Sequence, residues 1–145
     1  MLASMASNDF HILEHPADIG ISARGDDYAE AYANAARGLF SLIVNQNSVE
    51  ERSIKEVHIE GDDREHLLVR WLSELLYLYD GEKFVISEVE VQCPTPTVLR
   101  AMLKGETLDA NRHSPKLDVK AITYHQLEIT EQQDGTVEIQ FIVDI

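Results

Sequence analysis

Two stripes of apolar residues spaced by three and four, set among seven short runs rich in β-branched residues, predict an α+β fold: two amphipathic helices packed on a mixed or antiparallel sheet of about seven strands. A length of 145 residues suits a single domain that buries its core without disulfides. Residues 1–9 include Met1, Leu2, Ala3 and Met5 but have neither the basic start nor the sustained apolar run of a secretory signal. They read as a loose leader before one domain spanning 10–145.

The first runs, Phe10 to Leu13 and Ile19 to Ala23, are strand-like. Between them Pro16 and Gly20 shape a tight connection that displays His15 and Asp18. From Asp27 to Val44, residues Tyr28, Ala31, Tyr32, Ala35, Leu39, Leu42 and Ile43 form one helical face, and Asp27 with Glu30 makes a capping box after the Gly25-Asp26 turn. Ile54 to Ile59 is a third strand. Leu68, Trp71, Leu72, Leu75, Leu76 and Tyr79 then make a second helical stripe, capped by Asp62-Asp63 and stopped at Asp80-Gly81. This stripe reads as core and carries no chemistry. Phe84 to Val91 and Val98 to Lys104 are strands separated by Cys93-Pro94-Thr95-Pro96, a turn or an edge because proline has no N–H to give a ladder. Residues 105–116 form the longest polar stretch, either a solvated loop or one wall of a site. Val119 to Ile129 and Val137 to Asp144 complete the strands.

The formal charge of −14, from 26 acidic against 12 basic residues, opposes direct nucleic-acid binding and suits cations or basic protein surfaces. The same charge also serves plain solubility. The lone cysteine, Cys93, has no internal disulfide partner, and no Cys/His spacing fits a zinc finger, so a reducing, cytoplasmic setting is expected. No apolar run approaches the roughly 20 residues that cross a bilayer. A P-loop, a dinucleotide-binding glycine motif, a Gly-x-Ser-x-Gly elbow and His-Glu-x-x-His are all missing.

The sequence stops at Asp144-Ile145, directly after an apolar run, which sets a side-chain carboxylate next to an α-carboxylate. One reading is a last strand whose end points into water. The other adds Asp18: together Asp18, Asp144 and the Ile145 carboxylate offer up to about six oxygens, the number a hard divalent cation takes. Three negative charges so placed repel unless a cation neutralises them. An all-oxygen set favours calcium, magnesium or manganese over zinc. His113 and His125 suggest a different chemistry, acid–base work or metal ligation beside Asp18 in a free-standing hydrolase.

Several separated segments recur in one order: His15-Pro16-Ala17-Asp18-Ile19-Gly20-Ile21, Glu30-Ala31 with Asn34-Ala35-Ala36-Arg37-Gly38-Leu39, and Leu67-Leu68-Val69-Arg70-Trp71-Leu72-Ser73-Glu74-Leu75-Leu76-Tyr77. Gly105-Glu106, Asp109, Arg112-His113, Val119-Lys120-Ala121-Ile122-Thr123-Tyr124-His125 and Asp144-Ile145 follow. From Phe10 to Ile145 this pattern resembles the archease family, with Pro16 standing where many members have threonine. The resemblance implies a protein cofactor, not itself an enzyme, that activates an RtcB-type RNA ligase of transfer-RNA splicing. It would promote guanylylation of the ligase, sustain multiple turnover and broaden nucleotide use, meeting RNA only through the ligase and no membrane. The family's metal site carries over onto Asp18, Asp144 and Ile145, with calcium as the first choice of ion and magnesium or manganese behind it. His15, Arg112, His113 and Lys120 are assigned to support of those ligands or to contact with the partner, the alternative being a structural ion pair or loop anchor for Arg112, His113 and Lys120 and a packed or surface residue for His15. A metal-dependent hydrolase and a general chaperone-like binding module are the competing functions.

Overall fold

A computed structural model describes residues 10–14 and 18–145; the expected leader, 1–9, and the turn residues His15, Pro16 and Ala17 lie outside them. All seven expected strands are present: β1 (Phe10–Glu14), β2 (Asp18–Gly25), β3 (Ser53–Glu60), β4 (Phe84–Thr95), β5 (Val98–Thr107), β6 (Ala121–Glu131) and β7 (Val137–Asp144). The helices are α1 (Tyr28–Ile43), α2 (Arg64–Glu82) and a short α3 (Ala110–His113) in the polar stretch. Every pairing is antiparallel, and the strands divide between two sheets, β1-β2-β7-β6 and β3-β5-β4. Alternation shows which face of a strand is buried but not which strand lies beside it, so this division is a tertiary outcome.

Both long helices start from the same Gly-Asp-Asp turn. Asp27 accepts the N–H of Glu30 at 2.8 Å while Glu30 accepts that of Asp26 at 2.8 Å. Asp63 likewise accepts the N–H of His66 at 2.8 Å, and His66 Nδ1 accepts that of Asp62 at 2.9 Å, so a histidine takes the place of the usual Glu in the reciprocal cap. A Cβ on Gly25 would lie 2.3 Å from the Ala31 nitrogen and one on Gly61 2.7 Å from the Leu67 nitrogen, so only glycine lets each strand pass so close beneath a helix start. The second helix does not stop at Asp80-Gly81. It runs to Glu82, and Lys83, at φ 55°, supplies the left-handed cap, its N–H reaching the Tyr79 carbonyl at 2.9 Å.

Each long helix touches both sheets and the other helix, so the core lies between the sheets. Trp71 is fully buried there and donates its indole N–H to the Tyr32 carbonyl at 3.0 Å, in keeping with its reading as core. Strand β4 continues through Cys93-Pro94-Thr95, which is tolerated because it is an edge strand whose register slips between Gln92 and Thr95. Strand β6 starts at Ala121 and not at Val119, and it carries a bulge: three extra residues separate Thr123, opposite Ile142, from Glu128, opposite Gln140. In that bulge Gln126 has φ 56° and Tyr124 is 58% exposed. Among the described residues no helix is long and apolar enough to cross a membrane.

Candidate metal centre

Strand β7 lies inside its sheet between β2 and β6, so its last residue is held from both sides. The register with β2 sets Asp18 opposite Asp144. Directly opposed residues of an antiparallel pair project from the same face with Cβ atoms about 4.5–5.5 Å apart. On the other side Ala121 pairs with Asp144, and the N–H of Lys120 donates to the Asp144 carbonyl at 2.8 Å. The start of β2 therefore meets the end of β7.

Like charges opposed across a ladder are destabilising, and here one oxygen of Asp18 is also withheld from water. Oδ1 of Asp18 is buried with no hydrogen-bond donor among the described residues. A buried acceptor without a donor costs free energy until something supplies one. Asp144 and Ile145 are exposed, so their carboxylates remain open to a ligand from solvent. Among the described residues no three His, Cys, Asp or Glu side chains converge on one point, so a complete set needs the Ile145 α-carboxylate as third donor. Oxygen donors only, one of them orphaned, suit calcium, magnesium or manganese better than zinc.

The remaining sequence-predicted residues separate. Lys120 adjoins the site through its backbone, with an exposed side chain. His15 lies outside the described residues. His125 is exposed in the β6 bulge, its N–H donating to Thr123 Oγ1 at 3.2 Å. Arg112 and His113 do not bond the terminal carboxylates; both bind Glu106 at the end of β5. Arg112 donates to the two Glu106 oxygens at 2.9 and 2.6 Å, and His113 Nε2 lies 2.9 Å from Oε2. Because His113 Nδ1 accepts the Asp109 N–H at 2.8 Å, the ring proton belongs on Nε2, which donates to Glu106. The Glu50 N–H at 2.6 Å and Arg52 Nε at 3.1 Å complete the set. Arg112 hydrogen bonding holds the Glu106 carboxyl well below the usual carboxylate range, against the opposing effect of burial.

Glu106, like His113, lies in the stretch that sequence reasoning read as polar loop or site wall, and the fold buries it, only 3% exposed. The inward alternation of Leu99, Ala101 and Leu103 continues to Gly105, which signals the longer strand, but it sets Glu106 on the outward face and gives no sign of its burial.

The model of the Archease protein family (MTH1598/TM1083) matches residues 10–145. The chain belongs to the archease family. Over 135 residues it is 44% identical to the protein archease of Pyrococcus abyssi and 41% identical to that of Thermococcus kodakarensis, each time covering 91% of this chain and 95% of the relative. The fold is similar to the solution structure of Methanobacterium thermoautotrophicum protein 1598, with a TM-score of 0.79 at 29% identity over 95% of this chain and 99% of the other. It is also similar to the crystal structure of an archease from Thermotoga maritima, described as a possible chaperone, with a TM-score of 0.65 over 92% of this chain and 94% of the other. At 16% identity that second likeness speaks for the archease fold alone.

Proposed function

We propose that Asp18, Asp144 and the Ile145 α-carboxylate hold one divalent cation, calcium before magnesium or manganese, and that this archease is a cytoplasmic accessory protein of an RtcB-type RNA ligase. The observation that carries the metal reading is the buried Oδ1 of Asp18, without a partner among the described residues, opposite a second aspartate. A bound ion would supply positive charge able to neutralise phosphate oxygens during nucleotidyl transfer. The chain's own part is to fix the donors: the sheet aligns Asp18 with Asp144, and the Lys120 amide pins the Asp144 backbone. The ligase role rests on family membership, and the acidity of the chain suits docking on a basic protein cleft, where opposite charge steers encounter. A free-standing hydrolase loses one of its two candidate histidines, since His113 is fully buried against Glu106.

The test is multiple-turnover RNA joining by the ligase of the same organism, at limiting ligase and defined calcium and manganese. Joining beyond one turnover per ligase, lost in a folded Asp144→Asn variant, is expected. No stimulation with both proteins folded and the ligase active would refute the accessory role, and full stimulation by Asp144→Asn would remove the ion from it.

A further inference from the structure

Between α3 and β6 the chain runs as a strap from one sheet to the other. Ser114, at φ 51°, turns it away from α3. The N–H groups of Lys116 and Leu117 then donate to the carbonyls of Ile43 at 2.8 Å and Leu42 at 3.0 Å, satisfying two acceptors that the end of α1 would otherwise leave open. Lys116 Nζ reaches the Ser41 carbonyl at 3.2 Å. The strap ends at Lys120, whose N–H clasps the Asp144 carbonyl at 2.8 Å. Residues 114–118 are all exposed, and only the flanking His113 and Val119 are buried. The strap is therefore held at three places: by Glu106 through α3, by the end of α1 at Lys116 and Leu117, and by the Asp144 carbonyl at Lys120.

We infer that Glu106 is a positioning residue for the terminal carboxylates: by holding Arg112 and His113 it fixes α3, and through the strap it fixes the amide that clasps Asp144. A merely stabilising ion pair would lower global stability alone. A pin for the strap, once removed, releases one stretch of chain selectively, because the strap has little burial of its own to fall back on. The strap itself stands without any metal, whereas the effect on an ion rests on the carboxylate site proposed above.

Amide hydrogen exchange by NMR on the full chain separates these cases. In Glu106→Gln, exchange at Lys116, Leu117 and Lys120 should quicken at least tenfold more than at Ile21 or Phe141 in the core. Arg37→Gln, which breaks the 2.6 Å Arg37–Glu88 pair, should leave that ratio as in the parent. Where Glu106→Gln does not fold, Arg112→Lys, which loses the two-pronged contact, should give the same selective opening. Uniform exchange across strap and core in the folded variants would overturn the inference. Calcium titration of the same proteins gives the second readout, with an expected weakening of about tenfold in Glu106→Gln. Equal calcium affinity in parent and variant despite an open strap would overturn the positioning role. No calcium binding by the parent would instead refute the carboxylate site, and the exchange ratios would still decide the strap.

Discussion

Glu106 and Asp18 both have carboxylate oxygens withdrawn from water, one at the end of β5 and the other at the start of β2. Glu106 receives donors from Arg112, His113, Arg52 and the Glu50 amide. Asp18 Oδ1 receives none among the described residues and faces a second acid. Protein groups complete the first site; among the described residues none completes the second. A buried carboxylate whose donors come from the chain is a structural device; one whose oxygen lacks them is, in the reading proposed above, a place for a cation from outside.

Deleting the satisfied carboxylate should have the largest effect. Glu106→Ala strips the partner from a buried set of donors and should lower unfolding free energy by about 3 kcal/mol, read by urea denaturation. Acid titration of the same residue carries a definite sign. A carboxyl whose pKa is lower folded than unfolded stabilises fully above the ordinary glutamate value of about 4.3, and this is lost as pH falls through the folded value. The parent should therefore lose stability below about pH 4 more steeply than Glu106→Gln, measured as Tm against pH.

At the incomplete site the ion should do what Arg112 does for Glu106. Calcium at a hundred times its Kd should add about 2.7 kcal/mol, seen as a rise in Tm of roughly 5–10 °C for a domain of this size. Asp18→Asn should abolish that rise. The smallest effect sharpens the contrast most: with chelator present, Asp18→Asn should leave stability unchanged or raise it by about 0.5 kcal/mol, because it removes a like-charge pair. Loss of stability in that variant without metal would mean that Asp18 already has its partner within the protein.

The sequence foretold the elements better than their neighbours. The Asp27–Glu30 cap, the Trp71 stripe and all seven strands follow from local periodicity and capping chemistry, which act over a few residues. The partition into two sheets, and the bulge around Gln126, depend on contacts between distant residues and have no glycine or proline to announce them. Asp80-Gly81 misled because Gly81 is an ordinary helical residue, while Lys83 takes the left-handed cap. The two terminal acids were legible, since an apolar run ending in Asp-Ile leaves them side by side, and the register of β2 with β7 sets Asp18 opposite Asp144. Glu106 was not, because a glutamate in a polar run looks solvated until Arg112, His113 and Arg52 are seen converging on it.

The most direct measurement is isothermal titration of calcium into chelator-treated protein, for the parent and for Asp18→Asn with its fold checked by NMR. One ion per chain bound by the parent and none by the variant is the expected result. Equal binding by the two, or no binding by the folded parent, would contradict the carboxylate site.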